Sequence, residues 1–191
     1  MLQKKEQVYE ALRRVDQALA ELLPEALKIE LILIGGAAVI VRHGGKRWTA
    51  DIDALDKSRR LWGLGLLEEY GLHLVSEALL NLHPDYEKRL EKAQEPAGLK
   101  KLAVWLLGPY DLAITKIGRG LTHDYEDLAS SGLAGEINLA RLIKLSARGS
   151  PDWQSKSKST AAERKGSNTV LKSSACKRKI LFLSLLTRAG T

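Results

Sequence analysis

Residues 31–55, LILIGGAAVIVRHGGKRWTADIDAL, decide the fold. The stretch begins inside a β-rich run, Lys28 to Ile34, that gives way at once to Gly35-Gly36. Ala37 to His43 is apolar and alanine-led. It fits a helix that starts at the glycines and is ended by Gly44-Gly45. Trp48 to Leu55 alternates apolar and acidic residues and reads as a second strand, placed centrally by Ala50, Ile52, Ala54 and Leu55. Strand, glycine turn, helix and strand in direct succession point to a layered arrangement of helices on a sheet.

Each part of this stretch has a chemical use. Glycines at a strand-to-helix turn let backbone amides approach a phosphate, and the helix N-terminus favours the anion. Asp51 and Asp53 are two apart on a strand, so both side chains leave the same face while Ile52 points to the core. Two carboxylates on one face form a hard oxygen site suited to Mg²⁺. A phosphate cradle beside such a site is what metal-assisted nucleotidyl transfer needs. The plain alternatives are an ordinary turn and a solvated strand edge. Together the two features favour a site, because carboxylates on a central strand need a partner.

Working outward, residues 3–23 carry Val8, Leu12, Val15, Leu19, Leu22 and Leu23 at helical spacing, with Pro24 ending the helix. Residues 58–70 read as a helix closed by Gly71, and 74–82 and 84–94 as two more. Leu99 to Leu107 supports a third strand, closed by Gly108-Pro109. Helices are expected from Asp111 to Gly118, from His123 to Ser130 and over 136–146. The sum is an α+β domain over residues 1–146: a small mixed sheet flanked by helices, with a helical C-terminal part.

The glycine–aspartate arrangement resembles the nucleotidyltransferase superfamily of the DNA polymerase β type, whose signature is an apolar residue, Gly-Gly or Gly-Ser, then Asp-x-Asp. It is most similar to the minimal nucleotidyltransferase-like group of the DUF6036 type, and to the related abortive-infection toxins of type IV toxin–antitoxin systems. Gly-Gly-Ala-Ala, then Arg47 and Thr49 before Asp51 and Asp53, carry the likeness. A second block, DLAITKIGRGLTHDYEDL over 111–128, adds Leu112, Lys116, Arg119, Asp124 and Asp127 in matching order. The resemblance spans roughly residues 5–146.

It implies Asp51 and Asp53 as catalytic metal ligands, Lys116 as a third catalytic residue, and Gly35, Gly36, Arg47 and Thr49 as the nucleotide-binding set. It further implies Mg²⁺, an NTP, an RNA, protein or small-molecule acceptor, and a cognate antitoxin as partner. Arg119, Asp124 and Asp127 read as an internal ion-pair cluster. Fully equipped members carry a third carboxylate on a later strand. The expected strand, Leu102 to Leu107, has none. Asp111 and Glu77 are weak substitutes, which leaves open a nucleotide- or partner-binding protein of impaired catalysis. His43, His73, His83 and His123 read as isolated surface or packing residues.

Composition limits the other classes. The chain has 191 residues, a net charge of +7 and one Cys, which excludes a disulfide framework and a multi-Cys zinc site. Residues 147–191 hold ten basic residues and two acids, leaving 20 basic against 21 acidic residues in 1–146. The basic character therefore belongs to this Ser/Lys-rich tail, whose composition predicts disorder. The abrupt shift is also what a frameshifted end would give. A nucleic-acid role would rest on the tail alone and be salt-dependent. No apolar run reaches the roughly 18 residues of a membrane span, and the N-terminus lacks the apolar core of a signal peptide. The cytoplasm is the expected compartment.

Overall fold

The helix of residues 3–23 forms as α1, Lys5–Leu22, and buries Val8, Tyr9, Leu12, Val15 and Leu19, the stripe that its 3.6-residue period demands. This is seen in a computed structural model, which describes residues 1–44, 48–62, 65–94 and 98–149. The chain divides into two compact units. The first comprises Met1–Leu79 and Glu87–Gly108, the second Leu80–Tyr86 and the chain from Pro109 onward.

The first unit is built on a five-stranded mixed sheet. Its strands are β1 (Ile29–Leu33), β2 (Ile52–Asp56), β3 (Leu72–Leu74), β4 (Glu91–Lys92) and β5 (Leu102–Leu106). Their order across the sheet is β3-β2-β1-β5-β4. β1 runs antiparallel to β2 and parallel to β5, while β3 runs parallel to β2 and β4 antiparallel to β5. Ile29, Leu31, Ile32, Leu33, Ile52, Ala54, Leu102 and Val104 are all at most 2% exposed, so the three middle strands carry the core. The second helix, α2 (Gly35–His43), starts at the glycines as expected and ends at Gly44. α1 packs against α2 and against the short helical turn Gly65–Tyr70.

One buried acid fixes the start of β5. Asp16 on α1 accepts the backbone N–H groups of Lys100, Lys101 and Leu102 at 2.7–2.8 Å. Lys101, also buried, donates its ammonium to the carbonyls of Pro24 and Glu25 just past the end of α1. A carboxylate that saturates three backbone donors loses little by leaving water. It also sets where β5 begins beside β1.

The second unit is helical: α3 (Pro109–Arg119), α4 (Thr122–Ser130) and α5 (Leu139–Gly149). Leu112, Ala113, Leu128 and Leu133 are fully buried in it. Asn138 opens α5, its Oδ1 accepting the N–H of Arg141 at 3.1 Å. The Asn138 N–H itself donates to the Tyr110 hydroxyl.

The α+β architecture follows the sequence reading, and several of its elements do not. The strand expected over 48–55 begins only at Ile52. Thr49 forms an isolated bridge with Leu2, and Ala50 is exposed. Among the described residues, the helix expected over 58–70 gives a 3₁₀ helix over Gly65–Tyr70. The helices expected over 74–82 and 84–94 are instead two short 3₁₀ turns, Glu77–Leu79 and Tyr86–Arg89, followed by β4. Among the described residues the three expected strands become five, the extra two being short sheet edges. α5 starts three residues later than expected and runs to Gly149. Residues 150–191 lie outside the described residues, and with them nearly all of the basic tail.

Candidate active site

The site begins where β1 ends. Ile34 donates its N–H to the Asp53 carbonyl at 3.0 Å, one step past the β1–β2 ladder, and the chain turns there into α2. Gly35 makes that turn at φ +60°, a conformation that costs a side-chain-bearing residue about 1–2 kcal/mol. A Cβ on Gly35 would lie 2.7 Å from Asp53 Oδ2. Thus the glycine is needed twice: for its backbone angle, and because the Asp53 carboxylate fills the space a side chain would take. The carboxylate stands at the first turn of α2, where helix geometry leaves amide donors without intrahelical partners.

Gly36 faces the other half of the motif. A Cβ there would lie 3.1 Å from both Cβ and Oγ1 of Thr49. Thr49 donates its hydroxyl to the Asp51 carbonyl at 3.1 Å. Its backbone is held by two hydrogen bonds to Leu2, each 2.8 Å. The two glycines therefore bring both ends of the 49–53 segment against the start of α2. Asp51 and Asp53 are both part-exposed, with Ile52 buried between them, as the alternation predicts. Asp51 does so from the bend before β2, not from within the strand.

The structure adds a residue that sequence reasoning set aside. β3 lies beside β2 in parallel register, with His73 opposite Asp53. His73 Nε2 is 3.9 Å from Asp51 Oδ2. The missing third acid was expected on Leu102 to Leu107. That strand borders β1 and carries no acid, whereas β3, on the other side of β2, presents a histidine opposite Asp53. The three-residue pattern Leu72-His73-Leu74 was the only sequence signal available for it.

Lys116 belongs to the second unit, and its ammonium is already engaged there. It is 2% exposed, and its Nζ lies 2.8 Å from Asp127 Oδ2 and 3.4 Å from Asp124 Oδ1. Arg119 binds Asp124 from its Nε at 2.8 Å and its Nη2 at 2.5 Å. Asp124 is fully buried. Burial raises its pKa, but the hydrogen bonds from Arg119 and the charges of Lys116, Arg119 and His123 outweigh that, holding the carboxyl below its ordinary value. The expected ion-pair cluster is present, with Lys116 inside it. Arg47 lies outside the described residues.

Among the described residues no three His, Cys, Asp or Glu side chains are gathered into a ready-made metal cage. Mg²⁺ in nucleotide sites does not need one, being held by one or two carboxylates plus substrate phosphates and water. Asp51 and Asp53 fit that role as paired oxygen donors near a helix N-terminus, with Asp53 packed against Gly35.

The family described as nucleotidyltransferase of unknown function (DUF6036) matches residues 10–169. The chain belongs to this family. Its match takes in both carboxylate-bearing blocks and continues past residue 146. As a nucleotidyltransferase family it implies a nucleotide substrate. No curated protein and no solved structure gives a significant match. Among the described residues no helix is long and apolar enough to cross a membrane.

Proposed function

We propose that the protein transfers a nucleoside monophosphate from an NTP to a hydroxyl acceptor, with Asp51 and Asp53 holding Mg²⁺. The observation that carries the reading is the Asp53 carboxylate lodged against Gly35 at the N-terminus of α2. It puts a metal-binding group and a phosphate-binding group side by side. Bound there, the ion would supply charge neutralisation on the triphosphate and activation of the attacking hydroxyl. Gly35 and Gly36 let Asp53 and Thr49 approach the start of α2, whose backbone amides would meet the phosphates. Thr49 fixes the Asp51 backbone, and so sets where that carboxylate stands relative to Asp53. Lys116 serves the second unit by balancing Asp124 and Asp127. The likeness to abortive-infection toxins supports an RNA or protein acceptor, a cognate antitoxin as partner, and a cytoplasmic place of action.

One observation favours a second reading, a nucleotide-binding protein of impaired catalysis: neither β3 nor β5 carries an acid. Calorimetric titration of ATP, GTP, CTP and UTP, with and without Mg²⁺, tests both. The transferase reading expects Mg²⁺-dependent binding that Asp51→Ala/Asp53→Ala abolishes, and turnover once acceptors are supplied. Binding without turnover across RNA, protein and small-molecule acceptors selects the second reading. Binding that the double substitution leaves intact overturns both.

A further inference from the structure

The loop that follows β2 is built around one buried acid and holds a strained arginine. Asp56 ends the strand, and its side chain is buried. Its Oδ1 accepts the Ser58 hydroxyl at 2.6 Å and its Oδ2 the Leu61 N–H at 2.7 Å, while its carbonyl accepts the Arg59 N–H at 3.2 Å. Leu61 is buried as well, so the loop is pinned at both ends. Between the pins Arg59 stands at φ +54°, the one positive φ outside glycine among the described residues. A side chain disfavours that angle, and such strain persists only where the surroundings impose it. Arg59 is exposed, and among the described residues no ion pair engages its guanidinium. With Trp62, Ser76 and Glu77 it lines a cavity of about 100 Å³ whose apolar wall is Leu55 and Val75. Lys57, at the same place, is paired with Glu87. Trp62 is 46% exposed.

The lining selects a class of ligand. The cavity is far smaller than the roughly 300–1,000 Å³ that takes a whole small molecule, so it suits one flat group. An exposed indole offers a face for stacking, and a guanidinium pairs with phosphate. The Glu77 carboxylate would repel a bare phosphate inside the cavity. Together with the Ser76 hydroxyl it matches the mixed donors and acceptors of a base edge. A base inside, with its phosphate outside on Arg59, gives every group a partner. Single strands present bases unstacked in this way. The position agrees with an acceptor. The cavity lies at the end of β2 away from the aspartates, about 17 Å along its five residues. That is about five stacked nucleotides at roughly 3.4 Å each. We propose that this cavity seats one unstacked base of a single-stranded nucleic acid, the acceptor strand, with Trp62 stacking on the base and Arg59 holding the neighbouring phosphate. The role as acceptor rests on the transferase reading. The binding itself does not.

The test uses the full chain and fluorescein-labelled RNA of about 12 nucleotides, single-stranded or annealed to its complement, read by anisotropy. EDTA keeps divalent ions from Asp51 and Asp53. The basic residues of 147–191 contribute charge toward both forms, so the ratio of the two affinities reports the cavity. Wild type is expected to prefer the single strand about tenfold or more. Trp62→Ala should erase the preference, and Trp62→Phe, which keeps a ring, should retain most of it. Arg59→Gly removes the charge and suits the positive φ. Its melting temperature should hold or rise while single-strand affinity falls and the salt dependence drops by about one ion. Equal affinity of wild type for both forms, or a preference that survives Trp62→Ala, overturns the proposal. So does transfer to a protein acceptor at a rate that Trp62→Ala leaves unchanged. A preference carried by Trp62 in a chain that shows no Mg²⁺-dependent nucleotide binding keeps the site and overturns the transferase reading instead.

Discussion

Asp51 and Asp53 in the first unit, and Asp124 and Asp127 in the second, are both closely spaced carboxylate pairs, each a short way past a Gly-containing turn. The fold handles them differently. Asp124 is fully buried and held by Arg119 and Lys116, cations from the adjacent helix α3. Asp51 is about one-third exposed, and a half-exposed histidine, His73, stands 3.9 Å from it. A buried pair with built-in cations is a brace, since its charges are satisfied before any ligand arrives. The part-exposed pair is the one that the transferase reading proposed above assigns to the ion. Two blocks equally rich in charge thus differ in burial: one is locked inside the fold by its own cations, the other stands part-exposed on the sheet.

The sharpest way to break this contrast is to delete one acid from each side. Asp124→Ala leaves the Lys116 ammonium and the Arg119 guanidinium short of a buried partner, a loss of about 3–5 kcal/mol. It should appear as a large drop in the urea midpoint. Asp51→Ala, at a part-exposed position, is expected to change stability by about 0.5 kcal/mol or less while abolishing metal-dependent nucleotide binding. If the two effects exchange places, the assignment of brace and site is wrong.

Gly35→Ala is the next largest. The positive φ alone costs about 1–2 kcal/mol, and the added methyl would stand 2.7 Å from Asp53 Oδ2. The carboxylate must move, so nucleotide binding is expected to fall with stability. Retained binding at wild-type affinity would show that the contact between Gly35 and Asp53 does not set the site.

Acid separates the two regions by another route. The Asp124 carboxyl is held below its ordinary value in the folded chain. The stability it lends is therefore complete above the unfolded carboxylate pKa of about 3.9. That stability is lost as pH falls through the lower folded value. A melting-temperature series between pH 7 and pH 2 should show this fall in wild type and a shallower one in Asp124→Asn, which starts from lower stability. Parallel curves for the two would remove Asp124 from the acid response.

How much of this was legible in the sequence depends on the range of the signal. α1, β1, α2, β5 and the α3–α4 pair were readable because each is long or strongly patterned. Gly35-Gly36 marked the helix start because a positive φ and a close approach both demand glycine there. The region from 57 to 94 was misread for the opposite reason. β3 and β4 are three and two residues long, too short for a period to show, and their pairing comes from the sheet rather than from local preference. His73 was unreadable as a site residue because only the parallel register with β2 puts it beside Asp53. Lys116 was legible as a helix lysine within a charged block. Its two carboxylate partners, eight and eleven residues on, become neighbours only once α4 folds back on α3.

Gly36→Ala gives the smallest effect and the finest test of the site. Within α2 the exchange gains about 1 kcal/mol of helix propensity. Against it stands a methyl 3.1 Å from Thr49 Cβ and Oγ1, close enough that Thr49 must give by a few tenths of an ångström. The two terms roughly cancel, so the melting temperature should hardly move. Thr49, however, donates its hydroxyl to the Asp51 carbonyl, and a shift of Thr49 passes to the aspartate that follows. Affinity for nucleotide with metal is therefore expected to weaken several-fold at constant stability. Asp124→Ala should show the reverse, lost stability with the metal face of the first unit intact. A variant that loses binding without losing stability places Gly36 with the site, whereas an unchanged affinity would confine its role to the packing of α2.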